Sequence, residues 1–273
     1  LLMKGRIEKM ITSLEHPVRY QLPISDQVLD LNPLIGRDLT LTYTGTISCI
    51  ACGRNTNKSF NQGHCYPCFK RLASCDQCIL KPELCHFHEG TCREPEWGKA
   101  QCFGPHVVYL ANSSGLKVGI TRATQIPTRW IDQGASQALP IFEVADRRTA
   151  GLIEAQMRSF VSDRTDWRKM LKGAPPPLCL KTERNRLLDG VREFVDQLNE
   201  KNGTVKAKAA EAETVCEIFY PVDTYPEKVK THNFDKNPSV TGRLTGIKGQ
   251  YLMMGDVVFN IRKFAGYEIE IDY

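Results

Sequence analysis

His106-Val107-Val108-Tyr109-Leu110-Ala111-Asn112-Ser113-Ser114-Gly115-Leu116-Lys117-Val118-Gly119-Ile120-Thr121 is the stretch from which the fold can be read. Two β-prone runs flank the turn signal Asn112-Ser113-Ser114-Gly115, which predicts a hairpin with strands Val107–Ala111 and Leu116–Thr121. Side chains alternate along a strand, so Leu116, Val118 and Ile120 share one face and Lys117, Gly119 and Thr121 the other. The first set predicts a core face, and the second presents an amine and a hydroxyl around a glycine. In the partner strand Val107, Tyr109 and Ala111 oppose Val108 and Leu110. With Tyr109 beside the Lys117 face, a phenol and an ammonium project together, and the ammonium favours phenolate.

The segments that follow extend this unit. Pro127–Gln133 reads as a short helix with Gly134 as terminator, and Leu139–Ala145 as a third strand. Arg147–Val161 reads as a helix with Ala150, Ile153, Met157, Phe160 and Val161 on one side. Residues 106–172 are thus expected to run strand, strand, helix, strand, helix, with Arg129 on the first helix and Glu154 on the second.

Upstream, nine of the eleven cysteines fall between Cys49 and Cys102. Cys49-x2-Cys52 and Cys65-x2-Cys68 have zinc-ribbon spacing: each tight turn aims two sulfurs at one ion, and two such turns complete a tetrahedron. Four protein ligands close the site, so it is expected to be structural. Cys75, Cys78, Cys85 and Cys92 offer a second set, with Cys102, His86, His88 and His106 as competing ligands. A second zinc is the first reading and an iron–sulfur cluster the alternative, since both use thiolates. Cys179 and Cys216 stand alone and read as buried small residues.

The order of elements resembles the GIY-YIG endonucleases. Val107-Val108-Tyr109 looks like that family's first tripeptide and Lys117-Val118-Gly119 like its second, with Arg129 and Glu154 on the two helices. The resemblance implies that Tyr109 deprotonates water or acts as nucleophile, that Arg129 stabilises charge on phosphate, and that Glu154 holds one Mg²⁺. Lys117 replaces the second tyrosine, where it can bind phosphate or lower the Tyr109 pKa. Over most of the chain, Cys65-Tyr66-Pro67-Cys68, Gly90-Thr91-Cys92-Arg93-Glu94-Pro95 and Thr128-Arg129-Trp130-Ile131-Asp132-Gln133-Gly134-Ala135 resemble a bacterial family of unknown function.

The remaining segments complete an α+β organisation. Residues 1–48 form a β-rich segment, 49–105 a zinc-binding segment, 106–172 the α/β domain, 178–202 an amphipathic helix and 212–273 a C-terminal β segment. The two β-rich ends are expected to pair, since each is short for a sheet alone. Leu187, Leu188, Val191, Phe194, Val195 and Leu198 make the helix stripe. Lys206–Glu213 reads as a helix or a connector.

With 273 residues, 41% hydrophobic and 25% charged, the chain has ordinary globular composition. No run approaches the ~18 apolar residues of a membrane helix, and the first residues carry no apolar signal core. A cytoplasmic protein is expected. Two Zn²⁺ on eight thiolates bring −8 and +4 to the formal charge of +5, so basicity of the whole chain says little about partners. Locally, residues 106–172 hold ten Lys/Arg against six Asp/Glu. Arg164, Arg168, Lys169 and Lys172 around Trp167 suit a single-stranded nucleic acid. The expected function is a zinc-stabilised, nucleic-acid-interacting protein, either an Mg²⁺-dependent phosphodiesterase or a non-catalytic module binding DNA, RNA or protein. An iron–sulfur sensor is a third reading.

Overall fold

The computed structural model describes residues 2–202, 207–211 and 214–273. Within the stretch 206–213, residues 206, 212 and 213 lie outside the described residues, and Lys208–Ala209 forms a short strand. The architecture is α+β, built from four β-sheets, a long helix and a cysteine-rich lobe.

The central sheet grows from the hairpin. Phe103–Asn112 pairs antiparallel with Leu116–Arg122 on one side and with Gln137–Asp146 on the other. Two short strands from beyond the long helix, Lys208–Ala209 and Cys216–Glu217, add to Gln137–Asp146. Leu116–Arg122 is therefore an edge strand.

The central sheet is covered on both faces, which is why its first strand reads as nearly unbroken apolar sequence. Val108, Leu110, Val118 and Ile120 face two helices, Arg147–Met157 and Leu180–Asn202. Ile153, Met157, Leu187 and Val191 are almost wholly buried there. The first of these helices stops at Met157, earlier than its sequence period suggests, and leaves Phe160 exposed. Asp146 caps it, accepting from the Thr149 amide at 2.8 Å.

Val107, Tyr109 and Ala111 point the opposite way, into a core shared with both ends of the chain. In that core one sheet runs in the order Leu2–Arg6, Tyr267–Asp272, Asp38–Ile47, Ser239–Arg243. Its first pair joins the two ends of the described chain. Two further small sheets, one from residues 11–30 and one from 230–260, close the same core.

Cysteine-rich residues 49–102 fold as short helices and loops. Between Asp76 and Cys102 only Pro82 and Gly98 are buried, and no side chain of that stretch joins a hydrophobic core cluster. Burial alone cannot offset the entropy of ordering such a segment. It docks on the central module through Gly151, where an added Cβ would stand 2.5 Å from Pro82 Cβ. The Arg158–Glu83 ion pair holds the same contact.

Candidate functional site

The first centre is local. Cys49, Cys52, Cys65 and Cys68 bring their sulfurs within 4.8 Å of one another, a set that can hold a metal ion. Cys52 Sγ and Cys65 Sγ are 3.8 Å apart, close to the ~3.8 Å edge of a tetrahedron with Zn–S bonds of about 2.3 Å. The turns make this possible. Gly53, at φ +71°, closes the first turn, and its amide donates to Cys49 O at 2.9 Å. Cys65 opens the helix Tyr66–Arg71 and thereby aims Cys68 inward. Burial opposes ionisation of Cys49, but the amides of Cys65, Cys52 and Ala51 outweigh it and bring the thiol down to about 6. Burial and the three neighbouring sulfurs push Cys68 up to about 12. Four thiolates this close need a cation among them.

The second centre is convergent. A cleft of about 630 Å³ runs along the edge strand Leu116–Arg122, lined by Lys117, Gly119, Arg129 and Glu154 among others. Nine Lys/Arg side chains line it against three carboxylates, Asp132, Glu154 and Asp163.

Tyr109 is not on that surface. It is fully buried beneath Gly119, its register partner. A Cβ at position 119 would lie 2.7 Å from the phenol oxygen, so glycine here is a packing requirement. The phenol donates to Gln133 Oε1 at 2.8 Å, and Lys117 Nζ donates to the same oxygen at 3.2 Å. Phenol and ammonium do converge, but on an amide. The expected depression of the Tyr109 pKa is overturned: burial raises it to about 12, against the pull of Arg129. Lys117 is 4% exposed, and burial, helped by Arg129, lowers it to about 8.

Glu154 faces Lys117, Asp163 and Arg158. Burial, then the Asp163 charge, raises its carboxyl to about 7. A shielded carboxylate with a second acid nearby fits a divalent cation, since a cation restores what burial and repulsion take away.

The Arg129 helix, Thr128–Asp132, is braced from both ends of the chain. Lys9 forms an ion pair with Asp132, and Gln250 donates to Asp132 Oδ1 at 2.8 Å. Gln250 also holds the Met10 backbone in both directions, at 2.9 and 3.2 Å. Lys9, Arg147, Arg158, Asp163 and Arg262 belong to the cleft yet carry no local motif. Arg262 sits in the short helix Ile261–Phe264.

Other expected groups fall elsewhere. Trp167 stacks on Tyr251, with ring centroids 5.8 Å apart, and the Arg168 guanidinium lies 4.2 Å from its centroid. That aromatic face is engaged within the fold. Cys179 is exposed rather than buried, because it precedes the long helix and contacts Thr182 Oγ1 at 3.0 Å. Cys216 is half-buried. His106 is buried, with Nδ1 2.9 Å from Gly104 O and Nε2 without a partner among the described residues. His88 is exposed beside Glu89.

Cys78, Cys85, Cys92 and Cys102 line one small cavity, together with Asp76 and His86. Cys75, placed in the second set by its spacing, is buried outside that lining, which includes Cys102. Asp76, Cys78 and His86 form a second group of ligand atoms within 4.8 Å.

No helix among the described residues is long and apolar enough to cross a membrane. A family model described as a protein of unknown function (DUF2797) matches residues 36–269, which hold both cysteine sets and every cleft residue except Lys9. No curated protein and no solved structure matches the chain.

Proposed function

Because the chain belongs to the DUF2797 family of unknown function, its activity has to come from its own chemistry, and we propose that the cleft grips a nucleic-acid phosphodiester and cleaves it with a divalent cation. The observation that carries this reading is the meeting of Lys117, Arg129 and Glu154 in one open cleft whose lining is strongly basic. A phosphodiester supplies the negative charge that such a lining lacks.

Arg129 is suited to neutralise charge on the phosphate oxygens. Glu154 would hold Mg²⁺, which when bound polarises the phosphate and neutralises the departing oxygen. Lys117, brought to about 8 by burial, accepts the proton of the attacking water in its neutral form. Tyr109, sealed beneath Gly119, positions Gln133 and does not meet substrate. In this reading the GIY-YIG resemblance extends to the order of elements and to Arg129 and Glu154, while lysine replaces the phenol at the cleft floor. The four-cysteine centre carries zinc and serves only to order its lobe.

Incubation of labelled single- and double-stranded DNA and RNA with the protein and Mg²⁺ tests the proposal. Cleavage is expected, with loss of at least 100-fold in Arg129→Ala and in Glu154→Gln while both remain folded. Undiminished cleavage in both variants would reject the assignment. Tight binding without turnover, across several divalent ions, would select the non-catalytic alternative, which the replacement of the second tyrosine by Lys117 favours.

A further inference from the structure

The second cysteine set lies outside the cleft chemistry, and its geometry differs from that of the first. Cys78, Cys85, Cys92 and Cys102 surround one cavity walled by Ile79, Phe87 and Trp97. Among the described residues, the ligand-atom groups within 4.8 Å of one another are the first cysteine set and Asp76/Cys78/His86. No three of these four thiols meet that limit. One zinc would draw its sulfurs to about 3.8 Å from each other. A four-iron cluster binds each cysteine to a separate iron, which holds the sulfurs further apart around a common centre.

We propose that these four cysteines bind a [4Fe–4S] cluster, with Cys102 rather than Cys75 as the fourth ligand.

Three further observations agree. The segment from Asp76 to Cys102 has almost no buried apolar side chain of its own, so a cross-link among its cysteines is what orders it. Gly98 is the close neighbour of Cys92: a Cβ there would lie 3.2 Å from Cys92 Sγ and 3.3 Å from the Phe87 ring, crowding the cavity. Arg147 donates to Ile79 O at 2.7 Å and lines the cleft on its other side. It thereby places a cation between the thiolate cage and the basic cleft.

The competing set, Asp76/Cys78/His86, is already satisfied. Asp76 Oδ2 takes Arg93 Nε at 2.7 Å and lies 3.5 Å from His86 Nε2, while His86 Nδ1 is 2.7 Å from Thr91 Oγ1. A guanidinium on the carboxylate opposes a cation there.

Anaerobic reconstitution with Fe²⁺ and sulfide, followed by metal and sulfide analysis and visible and electron paramagnetic resonance spectra, tests the proposal. The full chain is expected to hold about four iron and four sulfide beside one zinc. Cys102→Ser should lose most of the iron and keep the zinc. Cys75→Ser and His86→Ala should retain both metals, which keeps the ligand set testable if Cys102→Ser misfolds. A colourless chain with two zinc and no bound iron would overturn the cluster. Loss of iron in Cys75→Ser or His86→Ala, with full retention in Cys102→Ser, would overturn the ligand set.

Discussion

The four-cysteine ribbon and the basic cleft are built in opposite ways. The ribbon draws all its ligands from residues 49–68, and two tight turns suffice to place them. The cleft gathers Lys9, Lys117, Arg129, Glu154, Arg164 and Arg262 from both ends and the middle of the chain, so its geometry depends on the whole fold. The contrast teaches where each site is vulnerable. Metal removal should ruin the first and spare the second, whereas packing changes far from the chemistry should harm the second alone.

The largest effect expected is from a strong chelator or Cys49→Ser. Structural zinc contributes on the order of 10 kcal/mol to such small lobes. Hydrogen exchange should therefore show the lobe around residues 49–72 losing protection while the strands of the central sheet keep theirs. Simultaneous loss of both would erase the distinction between the two regions.

Next comes Gly119→Ala. The added Cβ would meet Tyr109 at 2.7 Å, and forced overpacking of this kind costs about 1–3 kcal/mol. Denaturant titration should show that loss, with metal content unchanged. A stability equal to wild type would mean that Tyr109 is free to move away.

Glu154 gives an effect of similar size with the opposite sign. Its folded pKa, about 7, lies above the ordinary 4.5. The folded state therefore holds its proton longer, and stability is lost as pH rises from about 4.5 through 7. Glu154→Gln should stabilise the chain by ~1–3 kcal/mol at pH 8 and by little near pH 4. Equal melting shifts at both pH values would refute the shielded carboxylate. In catalysis Glu154 must be ionised and Lys117 neutral, so kcat/KM should climb with pH between about 7 and 8. A profile falling over that range would remove Lys117 as proton acceptor.

The smallest effect expected is Tyr109→Phe, which deletes one hydrogen bond to Gln133. A cost of ~1 kcal/mol and a modest loss of cleavage are expected. Abolished cleavage would return the phenol to the chemistry.

This same contrast governs what could be read from sequence. Ribbon spacing is a local property, so Cys49, Cys52, Cys65 and Cys68 were legible without coordinates. The hairpin was also legible, because alternation and a turn signal determine its faces. Lys117, Arg129 and Glu154 stood out only because their elements could be ordered. Arg147, Arg158 and Arg262 look like any surface arginine until the lobe docks on Gly151 and the C-terminal strands close the core. Cys75 marks the limit of spacing: its CxxC step to Cys78 looks like a knuckle, but the cavity that Cys78 lines includes Cys102, from the end of Pro95–Cys102, and not Cys75.

The central claim is that the basic cleft grips a phosphodiester, and oligonucleotide affinity across a salt series tests it most directly. With Ca²⁺ replacing Mg²⁺, the account predicts saturable binding that weakens steeply with salt. Arg129→Ala should bind at least tenfold more weakly, with a shallower slope. Absence of binding at low salt, or an affinity indifferent to Arg129, would contradict it.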